Sequence, residues 1–280
     1  MALPEPIEIA RLEENREAVA VGEIALESEP LAGGVMAFTP PGTWSNQACG
    51  IGLSGPVSER ELNRLVDYYV SRGVEPRIEL APFADESVIK GLAERCFTVR
   101  EFVNVFARAL PPGEDLRALL PFGWPEGLRM QWIDPTDEAL VHKYAVVSGS
   151  GFRKPGEEIT AELLGLTVRA TTHPRSDSFL ARIGAEPVGG GGLETTGPDN
   201  ARRIACLFGA SVYPGFRRRG IQQALIVRRM EMARERGAEF VCILSRPGIP
   251  TERNAARLGF QLAYTKAVLA MAGPGLIPSP

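Results

Sequence analysis

Three consecutive arginines followed by a glycine form the part of this sequence best suited to chemistry: Arg217, Arg218, Arg219 and Gly220. An apolar, strand-like run at 204–212 precedes them, and a helix-like run from 221 to about 236 follows them. The first N–H groups of a helix lack intrahelical partners, and the helix dipole adds positive charge there. Arginine supplies a planar donor fork for phosphate oxygens, and glycine lets a ligand approach the main chain. The pattern therefore predicts a phosphate or pyrophosphate site at a strand-to-helix turn.

The length and composition place the chain among soluble globular proteins. Its 280 residues suffice for two domains of about 140 residues each. The net charge of -3 gives no global reason to expect nucleic-acid binding, so the arginine run is a local feature. No apolar run approaches the roughly 18–20 residues that cross a bilayer, and the N-terminus lacks the basic region of a signal peptide. We therefore expect a cytoplasmic monomer or homodimer with no nucleic-acid or membrane partner.

Cysteine and histidine usage argues against several other classes of protein. None of the four cysteines forms a C-x-x-C pair, so buried free thiols are expected. The two histidines, His142 and His173, lack the spacing of metal ligands, and no metal site is predicted. A serine hydrolase is not supported either, because no G-x-S-x-G motif is present.

Hydrophobic periodicity predicts an α/β (α+β) protein with two similar halves. Residues 8–110 read as helix, two strands, helix, strand, helix, strand, with the first helix at 8–27. Proline and glycine at 111–125 mark the expected boundary between domains 1–125 and 126–272, and the tail 273–280 is too rich in these residues to fold regularly. The second half is expected to begin with a strand at 128–133 and helices at 136–148 and 157–167, the first of them capped by Asp134 or Thr136. A hairpin of 178–183 with 186–189 follows, and its second strand continues through a glycine run to Glu194. The remaining expected elements are a strand at 204–212, a helix at 221–236, a strand at 240–244, a helix at 251–258 and a last strand at 260–271, which closes the sheet.

The matching strand-to-helix turn of the first half differs in one respect. It reads Gly55-Pro56-Val57-Ser58-Glu59-Arg60, without the arginine-glycine pattern. Ser58 and Glu61 instead have the spacing of a capping box. A glutamate there repels phosphate, so one phosphate site per chain is expected, in the second half.

Residues 129–272 resemble the GNAT superfamily of N-acetyltransferases. The family's acetyl-CoA signature is Arg/Gln-x-x-Gly-x-Gly/Ala after a strand, and Arg217-x-x-Gly220-x-Gln222 matches it at the first two positions. Asn254 followed by Gly259-Phe260 is similar to the family's second conserved block. The element order of residues 8–110 looks like a degenerate copy, as in tandem GNAT proteins. The resemblance implies two GNAT-like domains, each with a mixed, mostly antiparallel central sheet flanked by helices.

The resemblance also implies acetyl-CoA as co-substrate, with no metal. Main-chain groups of Val212 and Tyr213 would pair with the pantetheine arm, and Asn254 would touch that arm, unless it is a plain helix N-cap. Gly220→Glu would abolish CoA binding with little loss of stability, because the side chain blocks the turn. The implied cofactor-binding set is Val212, Tyr213, Arg217, Arg218, Arg219, Gly220, Ile221, Gln222 and Asn254.

Catalytic residues are less well defined by the same resemblance. The family's tyrosine acid, near the start of the last helix, corresponds here to Ala255. Tyr264 on the last strand is the nearest substitute, with a buried and hydrogen-bonded tyrosine as the alternative. Glu194 is a candidate general base whose pKa burial would raise, against a solvated or salt-bridged carboxylate.

The function implied is acetyl transfer from acetyl-CoA to a primary amine of a small molecule or peptide. Loops at 148–160 and 192–202 are expected to select that amine. The alternative is a catalytically inactive acyl-CoA-binding sensor or interaction module.

Overall fold

The computed structural model describes residues 2–39, 43–153, 157–196 and 202–278. In chain order the helices and strands are α1 (Pro6–Ile24), β1 (Glu27–Leu31), β2 (Gly34–Phe38), β3 (Gln47–Cys49), α2 (Glu59–Val70), β4 (Arg77–Leu80), α3 (Glu86–Glu94), β5 (Thr98–Ala109), β6 (Leu128–Trp132), α4 (Glu138–Ser150), α5 (Ala161–Thr172), β7 (Ser176–Ile183), β8 (Glu186–Thr195), β9 (Ile204–Val212), α6 (Ile221–Glu235), β10 (Phe240–Ser245), α7 (Pro250–Arg257) and β11 (Gln261–Ala270).

The chain divides into two compact units. The N-terminal unit comprises Pro4–Val105 together with Leu262–Pro280, and the C-terminal unit comprises Phe106–Gln261 with Met1–Leu3. This division differs from the boundary expected near residue 125. Proline and glycine mark where regular structure stops, whereas the units are defined by which residues lie close together.

In the N-terminal unit the strand order is β1-β2-β3-β4-β11-β5, where β5 belongs to this unit up to Val105. The β1/β2, β2/β3 and β4/β11 pairs are antiparallel, and β3/β4 is parallel. The capping box of α2 is confirmed, because Ser58 Oγ accepts from Glu61 N at 3.3 Å and Glu61 Oε2 accepts from Ser58 N at 2.8 Å. The apolar face of α2, with Leu62, Leu65 and Tyr69, packs into the core of this unit.

Two expectations for this unit are corrected, one for the first helix and one for the last strand. The first helix ends at Ile24, not 27, and Glu27–Leu31 pairs with β2 around a turn in which Ala32 and Gly33 have φ of 45° and 85°. The last strand was expected to close the sheet of the second domain, but β11 pairs with β4. In the tail, Ile277 forms an isolated parallel bridge with Val74, and the remaining described residues of 271–278 form no helix or strand. Periodicity reveals that a strand exists but not which strand lies beside it.

In the C-terminal unit the strand order is β5-β10-β9-β8-β7-β6. The β6/β7, β7/β8 and β8/β9 pairs are antiparallel, which confirms the predicted hairpin, and the strand predicted at 240–244 is present as β10 and runs parallel to β9. Neither expected residue caps α4: its N-cap is Asp137, one residue after Thr136 and three after Asp134, and the Asp137 side chain accepts from Leu140 N at 3.0 Å. Helices α4 and α6 both pack on β8 and β9.

The glycine run of β8 is required by side chains that cross it. An added Cβ at Gly190 would lie 3.0 Å from the Tyr144 ring, at Gly191 3.1 Å from Arg229 Cζ, and at Gly192 2.8 Å from the Phe208 ring. Such a run weakens a strand unless another group passes close. Here Tyr144 of α4 and Arg229 of α6 supply those groups, so the run lets both helices approach the sheet.

Cys96 departs from the expectation of buried thiols. Cys49, Cys206 and Cys242 are buried, but Cys96 is exposed and has φ of 59°. Because only accessible thiols react readily, we expect a disulfide reagent to titrate one thiol in the native chain and all four of its cysteines after unfolding. Cys96→Ser should abolish the native reaction, whereas Cys206→Ser should leave it unchanged. A native reaction that survives Cys96→Ser would contradict the observed burial.

Candidate functional site

Strands β9 and β10 separate after their first residues. They pair at Ile204–Cys206 and Phe240–Cys242, and no register between them continues beyond these residues within the described chain. Although β9 is central, residues 208–213 are half-buried apart from Ser211. Main-chain groups without a ladder partner need another partner, and an extended ligand can supply it as an added strand does. We call this opening the β9–β10 cleft.

A β-bulge lies in β9 beside the cleft. Gly190 pairs with Ser211 and Gly192 with Phe208, so Gly209 and Ala210 together oppose Gly191. Gly209 has φ of 59°, a conformation that favours glycine. Bulges leave a residue outside the ladder and re-aim the strand, and they are common next to active sites. The peptide groups at Gly209 and Ala210 therefore lack a register partner on β8 as well as on β10.

The arginine-glycine loop follows β9 directly. A short 3₁₀ turn at Pro214–Phe216 leads through the exposed arginines to Gly220, which is the N-cap of α6 with φ 76° and ψ 0° and makes no side-chain cap. Arg217 Nε donates to Val212 O at 3.1 Å, and the Arg219 guanidinium lies 5.2 Å from the centroid of the Phe216 ring. None of the three arginines forms an ion pair with a described residue. An uncapped helix N-terminus with uncompensated cations is suited to bind an anion.

The left-handed φ of Gly220 changes the expectation that a substitution there leaves stability intact. We expect Gly220→Ala to lower the free energy of unfolding by about 1–2 kcal/mol, because a Cβ is unfavourable at this φ. Space is not the cause, since the nearest atom to an added Cβ is Pro125 Cγ at 3.5 Å. Gly215→Ala is the matched control, because no atom lies within 4 Å of its added Cβ and its φ is not positive. Urea denaturation measures both, and equal losses in the two variants would refute the backbone explanation.

Gln222, which departs from the family signature, has its side chain turned towards α7. Its Nε2 donates to Thr251 Oγ1 at 3.2 Å, and its Oε1 accepts from Asn254 Nδ2 at 2.6 Å. Gln223 Nε2 donates to Asn254 Oδ1 at 3.3 Å. The larger side chain therefore does not cover the helix N-terminus but joins the first turn of α6 to α7.

Asn254 lies inside α7, whose N-cap is Ile249, so the interpretation of Asn254 as a plain N-cap is wrong. One amide hydrogen and one lone pair of its side chain remain beyond the two bonds to α6. Its contact with a pantetheine arm stays a prediction.

Glu194 is 4% exposed and accepts from Arg175 Nε at 3.1 Å. Its register partner is Cys206, so it lies about 10 Å along the strands from the bulge. This pairing favours the salt-bridged alternative over a general base.

Tyr264 belongs to the N-terminal unit, where it is 5% exposed and donates its hydroxyl proton to Glu14 Oε1 at 2.7 Å. Burial and the nearby carboxylate of Glu14 raise the pKa of the Tyr264 hydroxyl well above its usual value. Ala255 is fully buried in α7. The structure therefore brings the predicted CoA-binding residues together in one unit but does not bring Glu194 and Tyr264 together with them as a catalytic pair.

The N-terminal unit contains a related but different arrangement. Strands β3 and β4 are parallel with one register pair, Ala48 with Ile78, and the capping box of α2 occupies the helix N-terminus that follows. A cleft of about 660 Å³ lies in this unit, lined by Arg11, Asn15, Gly33, Gly50, Gly52, Leu53, Ser54, Gly55, Phe83 and Asp85. Because Ser58 and Glu61 already satisfy this helix terminus, we expect no anion to bind there.

Sequence reasoning missed the residues around the bulge. Ser148 Oγ donates to Gly209 O at 2.6 Å, and Arg229 Nη1 donates to Phe208 O at 3.1 Å. A glycine in the middle of an apolar strand is the signal that indicates a bulge, but the sequence does not indicate which side chains hold it.

Within the described ranges, no cluster of three or more His, Cys, Asp or Glu side chains is arranged to hold a metal ion. In the same ranges, no helix has both the length and the apolar character needed to cross a membrane.

Comparison with known proteins agrees with this geometry. Residues 131–260 match the model described as the acetyltransferase (GNAT) family. A GCN5-related N-acetyltransferase from Kribbella flavida has a similar structure, with a TM-score of 0.70 and 16% identity over 96% of this chain and 97% of that one. A functionally unknown conserved protein from Staphylococcus epidermidis matches with a TM-score of 0.57 and 12% identity over 87% of this chain and 92% of that one. A tandem GNAT protein from the clavulanic acid biosynthesis pathway matches with a TM-score of 0.52 and 18% identity over 71% of this chain and 64% of that one. No curated protein matches the chain.

The structure is a mixed α/β fold with a mostly antiparallel sheet, and its arrangement is similar to that of tandem GNAT structures. Residues 131–260 are thus similar to the acetyltransferase (GNAT) family, whose members are acyltransferases.

Proposed function

We propose that the protein is an acetyl-CoA-dependent N-acetyltransferase that acts on a primary amine of a small molecule or peptide. One observation carries the proposal: the open edge of β9 runs directly into the uncapped, arginine-bearing N-terminus of α6. Acetyl-CoA has the matching order of groups, because its thioester and amide-containing pantetheine arm lead to a pyrophosphate. A strand edge and a helix N-terminus are the backbone features that bind these two parts.

The residues that would hold acetyl-CoA fit it in charge and in hydrogen-bonding groups. Main-chain groups of Val212 and Tyr213 lie at the open end of the cleft, beside the turn. The loop N–H groups from Arg218 to Gln222 would bind pyrophosphate oxygens, and the arginine side chains would add charge. The bond between Gln222 and Asn254 keeps the glutamine side chain away from this loop.

The reaction places an amine next to the thioester carbonyl. The amine nitrogen bonds to that carbon, the C–S bond breaks with its electron pair on sulfur, and a proton passes from nitrogen to solvent or to the thiolate. The main-chain N–H groups of Gly209 and Ala210, which have no register partner on β8, would bind the oxygen as its negative charge develops. Proximity in the cleft supplies much of the acceleration, so a hydroxyl at the position of Ala255 is not required.

Two measurements test the proposal in order. Calorimetric titration with acetyl-CoA should show binding, and its absence at high micromolar concentration would reject the function. A panel of amines, followed by release of free CoA and by mass of the product, should then identify an acceptor. Binding without CoA release from any amine would favour the sensor alternative.

The loops expected to select the acceptor include residues 154–156 and 197–201, which lie outside the described residues. The amine panel should therefore range from small polyamines and amino sugars to peptides with a free N-terminus.

A further inference from the structure

Arg229 of α6 is a buried cation without a carboxylate partner. Its side chain is 2% exposed and forms no ion pair with a described residue. Desolvation lowers the pKa of its guanidinium to about 10. Because burying an uncompensated charge is costly, its partners show what the charge is used for. They are main-chain carbonyl oxygens: Leu225 O at 3.0 Å, Gly192 O at 2.9 Å and Phe208 O at 3.1 Å.

Two of these carbonyls define the bulge of β9. Gly192 and Phe208 form the register pair at which the bulge begins, and Gly209 follows at once. In a trans peptide the C=O and N–H groups point in opposite directions. By holding Phe208 O, Arg229 therefore fixes the direction of Gly209 N–H, which points away from the guanidinium.

Ser148 acts in the same way on the next peptide. Its Oγ donates to Gly209 O at 2.6 Å, which fixes the direction of Ala210 N–H. Ser148 comes from α4 and Arg229 from α6, so two helices hold the two successive peptide groups that have no ladder partner. Ser211 Oγ, which donates to Val147 O at 2.7 Å, also joins β9 to α4 just after the bulge.

We propose that Arg229 and Ser148 are positioning residues that aim the N–H groups of Gly209 and Ala210 at the thioester carbonyl of the acyl donor. This inference rests on the proposed function of the same cleft. Preorganised donors of this kind stabilise the charge that develops on a carbonyl oxygen, and the positive charge of Arg229 nearby favours the same negative charge. A neutral donor could satisfy one of these carbonyl oxygens, whereas a guanidinium bridges those of Gly192 and Phe208. The guanidinium fits there because Gly191 has no Cβ.

The test compares Arg229→Met, Arg229→Lys and Ser148→Ala with Arg228→Met as a matched control. Arg228 is adjacent on α6 but half-buried, and it pairs with Glu231 and Glu235. For each variant we would measure Tm, kcat, KM and the ratio of the dissociation constants for CoA and acetyl-CoA. CoA lacks the thioester carbonyl, so this ratio reports on the aimed N–H groups rather than on overall folding.

We expect Arg229→Met to lower kcat by about 100-fold, the loss typical of one removed oxyanion donor. Its affinity for CoA should stay near the wild-type value, while the preference for acetyl-CoA over CoA disappears. Arg229→Lys should fall between wild type and Arg229→Met, because lysine keeps the charge but not the planar fork. Ser148→Ala should lower kcat by about 10-fold, as expected for one neutral hydrogen bond of about 1.4 kcal/mol. Arg228→Met should change neither kcat nor the ratio of the dissociation constants for CoA and acetyl-CoA.

Variants with a lower Tm but unchanged kcat and an unchanged ratio would overturn the inference. If Arg229→Met does not fold, Arg229→Lys and Ser148→Ala decide the question with the same measurements. A wild-type protein that binds no acetyl-CoA would instead reject the proposed function, and this failure is seen before any variant is made.

Discussion

Replacing Arg217, Arg218 and Arg219 together by glutamine is expected to weaken CoA binding by about 100- to 10,000-fold. A hydrogen bond to a charged group contributes about 1.5–3 kcal/mol, and about 1.4 kcal/mol corresponds to a tenfold change in affinity. Two such bonds to the pyrophosphate account for the expected loss. Stability should hardly change, because the three side chains are exposed and have no ion pair with a described residue. Calorimetric titration gives the affinity, and thermal unfolding gives the stability.

A ligand control separates the phosphate contact from other effects of the triple substitution. Acetyl-pantetheine has the thioester and the pantetheine arm but no pyrophosphate, so its affinity should be the same for wild type and variant. Added salt should weaken CoA binding to the wild type more than to the variant, because screening acts on the charges that the variant lacks. An unchanged affinity for CoA in the variant would place the phosphate site elsewhere and reject this loop as its binding element.

The arginine-glycine loop could be predicted because its determinants are local. A strand, a turn and a helix in sequence order place the N-terminal N–H groups of α6 beside the arginines whatever the rest of the chain does. The capping box of α2 is local in the same sense, since Ser58 and Glu61 are three residues apart. Both features were therefore recognised from spacing alone.

The rest of the site depends on contacts between distant residues, and spacing does not reveal them. Arg228 and Arg229 are adjacent in α6, and the spacing of the apolar residues does not indicate that Arg229 is the buried one. The reason for its burial is Gly191 of β8, which leaves room for a guanidinium at one position of the facing strand. Recognising this requires the register of β8 against β9 and the packing of α6 on both, which the sequence does not contain. Tyr264 was similarly assigned from its place on the last strand, without knowledge that β11 pairs with β4.

Lys266→Met is expected to lower the free energy of unfolding by about 3–5 kcal/mol, the usual cost of removing one partner of a buried ion pair. Lys266 lies on β11 and is fully buried. Its Nζ lies 3.0 Å from Glu14 Oε1 and 3.3 Å from Glu79 Oε2, and it also contacts Glu17. Without the cation these carboxylates would be buried with no positive partner on β11. Urea denaturation of the two proteins measures the difference.

The loss should depend on pH in a defined direction. Burial raises the pKa of Glu14 from 4.5 to about 7 even with Lys266 present, and burial also raises the pKa of Glu79. A carboxyl with a raised folded pKa stabilises the fold below its unfolded pKa, and this stabilisation is lost as the pH rises through the folded pKa. Removing Lys266 raises these pKa values further. The free energy of unfolding that Lys266→Met loses relative to wild type should therefore be small near pH 5, where Glu14 is protonated in both proteins. The loss should be largest above pH 7.

Lys90→Met is the matched control for this substitution. Lys90 pairs with Glu86 at 2.8 Å, but both side chains are more than half exposed, so the ion pair contributes little to stability. The control should lose little stability at any pH, because solvent already screens both charges. A deficit of Lys266→Met that is equally small, or one that grows as the pH falls, would mean that the carboxylates do not need the cation. In that case apolar packing of β11, with buried Val268 and Ala270, would hold this strand in the N-terminal unit.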